Sequence, residues 1–428
     1  MLLTGWQNNG NSTKSNGEMD ALTHIVQLLD FHIEELKGYN AQAANAKITK
    51  ADEDWDYNCL KDSFIETAME IEVPSGDTNI QPENFLDPLS VIRAAFTDKL
   101  SSQFHFSPFP LFQKTETSEV ASDTNTNDAQ HVQTDLYNSD AFIKEHDHVQ
   151  WAPTDDKDCK REKVVAALMC WSDATQLANF GTAKLWPIYM LFGNLSKYIC
   201  ASPNSGAVQH LAYIPTIPDS IKHEISKFNV NWKTQSKDIL AHCNRELYHV
   251  VWRFLLDNDF VHAYKYGIVI KCFDSIECRI YLCFFTYSAD YPEKVLLATI
   301  RDLGSCPCPC CLCPKSLLDR MGLRRDINLQ EKIRKYLFDK VKLAQEWIYE
   351  EGYKIRGDAI EYLLKETSSV PTMNAFIERL GSELNVGCML VVDFMHEFEL
   401  GVFKALFAHL IQVLYAQDPR LVQELDNW

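Results

Sequence analysis

Three apolar runs in this chain each stop at an aspartate, and that repetition constrains its fold more than any bulk property. Residues 164–171 (within KVVAALMCWSD) lead to Asp173, 278–289 (CRIYLCFFTYSA) to Asp290, and 387–392 (GCMLVV) to Asp393. Short runs rich in Val, Leu, Ile and aromatic residues read as strands buried on both faces. An acid directly beyond such a strand lies at the rim of the sheet. Carboxylates from neighbouring strand ends are one way a protein gathers divalent cations for phosphodiester chemistry.

The surrounding residues predict the rest of the sheet. WPIYMLFGN (186–194) is another strand, and GIVIKCF (267–273) pairs with 278–289 through the turn DSIE. The stretch 220–262, containing DILAHCNRELYHVVWRFLLDNDF, predicts helix. Pro292 and Glu293 mark a helix start immediately after Asp290, because proline suits the first turn and an acid complements its dipole. A long apolar helix, 394–416, follows Asp393. Trp186, Trp252, Phe284, Phe285 and Phe403 lie inside apolar runs and are expected to pack in the core.

Upstream, 1–114 reads as an acidic region with short helices. Leu22, Ile25, Val26, Leu29 and Ile33 share one face of a helix over 20–37, with Asp20 as its cap. Pro74, Gly76, Pro82, Pro88, Pro108 and Pro110 make 40–113 look irregular. Residues 115–140, nearly free of large apolar side chains, read as a disordered linker. The expected core is 141–428, with a Cys-rich loop at 304–315. The fold class is thus α/β: a mixed sheet with flanking helices and a site at one strand edge, which is what an RNase H-like core needs, plus an irregular, mainly helical acidic N-terminal region.

The net charge of −18 argues at first against a nucleic-acid partner. Residues 1–158 hold all of it, with 28 acidic and 10 basic side chains, and the remainder is neutral. Within the neutral part, 314–343 carries nine basic residues against four acidic. Arg320, Arg324, Arg325, Lys332, Arg334 and Lys335 make it a candidate phosphate-contacting helix, or a solvated helical face. No run of 18 uncharged apolar residues occurs and the start lacks a secretory pattern, so no membrane span and no secretion are expected. Reduced cysteines in a nuclear or cytoplasmic protein follow.

The chemistry these residues suit is two-metal phosphoryl transfer, with Mg2+ or Mn2+ held by Asp173, Asp290 and Asp393. His396 lies one helical turn beyond Asp393 and shares its face, so the two could act together. If Asp393 and His396 are structural only, Glu397 and Glu399 are the nearest candidates for a third acid. His396-Glu397 also opens an H-E-x-x-H zinc pattern, but position 400 is Leu and the second ligand is missing. Cys306, Cys308 and Cys311, with Cys310 and Cys313 as alternatives, offer C-x-x-C spacings for structural Zn2+ or stand as reduced thiols without metal. No phosphate-binding glycine loop and no nucleophile-elbow motif is present.

The segments SDATQLANFGTAKLWPIYMLFGNLSKY, HLAYIPTIPDSI, TYSADYPEKVLLATIRDLGSCPCPCCLCPK and VVDFMHEFELGVFKAL resemble the transposases of basidiomycete Plavaka-type elements, relatives of the CACTA superfamily. The resemblance spans about 159–416 and touches NNGNSTKSNGEMDAL near the start. It implies an RNase H-like fold, acid-dependent cleavage and transfer of DNA at transposon ends, and by analogy a homodimer. Asp173 matches the first catalytic acid and Asp290 the second, and Asp393-Phe-Met-His396 matches a D-x-x-H signature. Cys310 and Cys200 stand where that family usually has Arg, and the family usually continues well past LVQELDNW. The resemblance therefore also allows a truncated, catalytically dead remnant acting as a DNA- or protein-binding module.

Overall fold

The chain's apolar runs become the strands of one mixed sheet. The computed structural model describes residues 65–73, 76–85, 87–113, 130–156, 159–176, 184–217, 219–228 and 232–427, all within the unit Ser63–Trp428. The helix expected over 20–37 and most of the expected linker lie outside the described residues.

Among the described residues the sheet contains β1 (Ile65–Val73), β2 (Gly76–Phe85), β3 (Glu162–Ser172), β4 (Pro187–Phe192), β5 (Gln209–Tyr213), β6 (Ile268–Lys271) and β7 (Glu277–Ser288). Their order across it is β1-β2-β5-β4-β3-β7-β6. β3, β4 and β5 form an antiparallel meander. β7 then returns parallel to β3, from Cys278 opposite Glu162 to Ser288 opposite Trp171. A parallel return needs a long crossover. Helices α3 (Trp232–Leu255) and α4 (Asn258–Tyr266) supply it.

Val164 to Leu168 of β3 are wholly buried because helices cover both faces. On one face α2 (Asp140–Trp151) sets Phe142 and Val149 against Val165, Ala167 and Tyr281. On the other, Trp252 of α3 packs its ring against Phe284 and Tyr287 of β7 and Phe376 of α8 (Ala375–Leu380). The outer side of α3 carries Ile239, Cys243 and Leu247 into a second cluster. Its partners are α6 (Phe338–Tyr349) and α7 (Asp358–Leu364).

Two stretches differ from the sequence expectation. Within 65–97, expected to be irregular, the β1–β2 hairpin joins the sheet, and α1 (Pro88–Thr97) buries Val91, Ile92 and Phe96. Pro88 reads as a breaker but occupies the first turn of α1, where its missing N–H costs nothing, and Asp87 caps that turn. The third apolar run, 387–392, is also not a strand. Val386–Met389 is a short helix capped by Asn385, and only Leu390 forms a single parallel bridge, to Tyr287. Cys310 Cα and Pro309 O lie 3.3 Å from where a Cβ at Gly387 would stand, so the backbones meet closely there.

Beyond Asp393 the chain turns through the π-helical Phe394–Phe403 into α9 (Lys404–Gln417). Phe403 is 51% exposed rather than core. The sequence contains no fully uncharged 18-residue run, yet this segment averages a hydropathy of 1.4 over such a window and none of that window is buried. By length and composition it is the one helix among the described residues that could cross a membrane.

Candidate active site

Because β3 and β7 run parallel, with one bulge between Phe284 and Thr286, the residues that follow them leave the sheet at the same edge. Asp173 is the first residue beyond β3, and Asp290 is the second beyond β7. On the far side of β7, Leu390 bridges Tyr287 and Val391 N–H donates to Tyr287 O at 3.2 Å. That places Asp393 after a third segment running to the same edge.

Each acid has a distinct local setting. Asp173 is exposed. The Asp290 carboxylate accepts from Glu293 N–H at 2.9 Å and caps α5 (Tyr291–Leu297), so it is also the helix cap its position suggested. Asp393 accepts from His396 N–H at 3.1 Å and holds His396 Nδ1 at 2.6 Å. Burial raises the Asp393 carboxyl, but its bonds to His396 outweigh this and its pKa lies below the ordinary value. The same bond is the main cause of a raised pKa at His396, opposed by desolvation and helped by the charges of Asp393, Asp173 and Asp290. The fields of all three aspartates thus meet at one imidazole.

Glu397 is not a free acid: Lys294 Nζ of α5 holds its Oε1 at 2.6 Å. Glu399 is exposed. The residue that sequence reasoning missed is Glu293, read only as a helix-start marker. Its side chain is buried behind the edge, where Ser172 Oγ donates to Oε1, Trp186 Nε1 donates to Oε2 at 3.0 Å and the Tyr248 hydroxyl lies 3.4 Å away. Burial pushes its pKa up to about 7, the Ser172 and Trp186 hydrogen bonds pull it down, and the charges of Asp290 and Asp173 push it up. Its position three residues after Asp290 was legible; its inward direction was not.

The donors at this edge are hard carboxylate oxygens, the type Mg2+ and Mn2+ take. No three His, Cys, Asp or Glu side chains among the described residues are gathered closely enough to enclose an ion. Magnesium rarely requires that, since it keeps waters and shares one or two carboxylates with substrate phosphates. Asp173, Asp290 and Asp393 have the donor chemistry for such an ion and follow segments that reach one edge.

The Cys-rich loop lies beside this region. Cys308 Sγ accepts from the N–H groups of Cys310 and Cys311, both at 3.4 Å. Its pKa falls to about 5, with the side-chain bond from Cys310 the largest cause. Cys310 also reaches Leu390 O, whereas Cys306 turns towards Leu312 O and Glu366 O and Cys313 towards Asp326. Among the described residues no three of these thiols gather about one point, and the cysteines are free of disulfides.

The basic segment is not one helix. It breaks into a 3-10 turn (Lys315–Arg320), a short helix (Arg324–Gln330) and the start of α6. Arg320, Arg324, Arg325, Lys332 and Lys335 are exposed. Arg334 is the exception, being 8% exposed and donating to the carbonyls of Cys306, Cys308, Cys311 and Thr367. A guanidinium committed to four buried carbonyls is a clamp on the Cys-rich loop and is not available to phosphate.

The described residues thus form a mixed α/β sheet in which three aspartates follow segments that run to one edge. Over residues 40–412 the chain matches the family model described as Plavaka transposase, and it belongs to that family. Membership marks it as a transposon-derived transposase and implies DNA as its partner. No curated protein and no solved structure matches it.

Proposed function

We propose that this chain is a DDE/D-type transposase that cuts and transfers DNA strands at an RNase H-like site formed by Asp173, Asp290 and Asp393. The observation that carries the reading is the common edge reached by β3, β7 and the Leu390 segment, each delivering one of these acids. The β3-β4-β5 meander followed by a parallel return at β7 supports the RNase H-like part. Mg2+ or Mn2+ bound by these carboxylates would activate the attacking oxygen and stabilise the leaving one.

The protein's own contribution is placement and charge. Asp173, exposed beside the Asp290 cap, offers oxygens to a cation that also touches a phosphate. The Asp393–His396 pair keeps Asp393 ionised and presents an imidazole whose raised pKa favours its charged form, suited to a phosphate oxygen or a leaving group. Arg320, Arg324, Arg325, Lys332 and Lys335 supply exposed cations along which the DNA backbone can lie.

Asp173→Ala and Asp290→Ala, each assayed for Mn2+-dependent nicking of DNA carrying the element's ends, are expected to lower the rate at least a thousandfold, on the order expected when a group central to phosphoryl transfer is lost. Cleavage at the wild-type rate by either variant would remove the mechanism and leave DNA binding as the surviving role.

A further inference from the structure

Helix α5 starts directly after Asp290, and its third and fourth residues are a Glu–Lys pair with both side chains buried, 4% and 3% exposed. Burying two ionisable side chains is expensive, and apolar residues of similar size would usually be as stable there. The two side chains take partners on different segments. Glu293 accepts from Ser172, the residue immediately before Asp173, and Ser172 also lies 2.5 Å from the hydroxyl of Tyr287, three residues before Asp290. Trp186, just ahead of β4, donates to the other Glu293 oxygen, and the Tyr248 hydroxyl of α3 stands 3.0 Å from that of Tyr287. Lys294 reaches the opposite way to Glu397, four residues past Asp393 and one past His396.

We infer that Glu293 and Lys294 are positioning residues that brace the three acids: Glu293 sets Asp173 against Asp290 through Ser172, and Lys294 sets Asp393 against Asp290 through Glu397. The inference rests on the metal-site reading above. The Glu293 oxygens are taken by Ser172, Tyr248 and Trp186, and Lys294 is a cation, so neither side chain serves as a ligand. They act as groups behind metal ligands act, by fixing orientation. Asp393 depends on this most, because its segment meets β7 through a single bridge rather than a full ladder.

The test is Mn2+ affinity of the full chain without DNA, read by electron paramagnetic resonance, with thermal melting as a check on folding. Wild type binds Mn2+ and D173N does not. S172A and K294M each weaken binding by roughly tenfold to a hundredfold while still melting cooperatively. E293Q, whose amide oxygen can accept from Trp186 while its NH2 donates to the Ser172 hydroxyl, stays near wild type, whereas E293L behaves like S172A. E397A loses the same contact from the more exposed side, so it tests the second arm even if K294M fails to fold. The K294M/E397A double variant is no weaker than either single variant, because all three remove one contact. Wild-type Mn2+ affinity in S172A, K294M and E397A, with D173N unable to bind, overturns the brace and leaves the metal site standing. No Mn2+ binding by wild type, or equal binding by D173N, overturns the metal-site reading and the brace with it.

Discussion

Arg334 shows what a single residue can hide. In the sequence it is one of nine cations in a basic run, indistinguishable from Arg324 or Arg325. In the fold its planar fork reaches carbonyls from both the Cys-rich loop and Thr367, while Arg324 and Arg325 stay in solvent. The difference is burial, which composition does not encode. An ammonium is a point donor and cannot span that set, so Arg334→Lys leaves buried carbonyls without partners. We expect it to cost about 2–4 kcal/mol in urea denaturation, against within about 0.5 kcal/mol for Arg324→Ala. Equal stability of the two variants would contradict the clamp. Glu293 shows the reverse: its chain position was plain, but only the packing of α5 against the sheet turned it inward.

At the scale of elements, legibility followed hydrophobic pattern. β3, β4, β6 and β7 were readable because their runs are apolar and bounded by turn signals. The 387–392 run carries the same signal yet folds as a helical turn and one bridge, since Asn385 caps it and the Cys-rich loop crowds Gly387. The connection after α5 depends on another contact that no local pattern announces: Arg301 pairs with Glu361 of α7 through both guanidinium nitrogens. That hydrogen bond is the main reason the Glu361 carboxyl lies below its ordinary value of 4.5, against the opposing effect of burial. The folded form therefore binds this proton less readily than the unfolded chain. The pair's contribution is fully present above about pH 4.5 and is lost as pH falls through the depressed folded value. Urea midpoints of wild type and Glu361→Gln should differ most near neutral pH and converge in acid; a constant gap would show that the pair is not what titrates.

For the whole molecule, apolar residues alone did not decide what is inside. Phe376 is fully buried between Trp252 and Phe284, whereas Phe407, on the most apolar helix, is 50% exposed. We expect Phe376→Ala to cost about 3–5 kcal/mol and Phe407→Ser to change unfolding by within about 0.5 kcal/mol; a large loss from Phe407→Ser would mean that helix is packed. The α/β class, the main strands and the three acids that follow apolar runs were legible in the residues alone, because strand length, alternation and turn residues are local properties. Tertiary packing alone set β7 parallel to β3, brought the segments ahead of the three acids to one edge, paired Glu397 with Lys294, and added Ile65–Val73 and Gly76–Phe85 to the same sheet. Those are pairings between residues tens to hundreds of positions apart, selected by which surfaces can be buried together, and no window of sequence contains both partners.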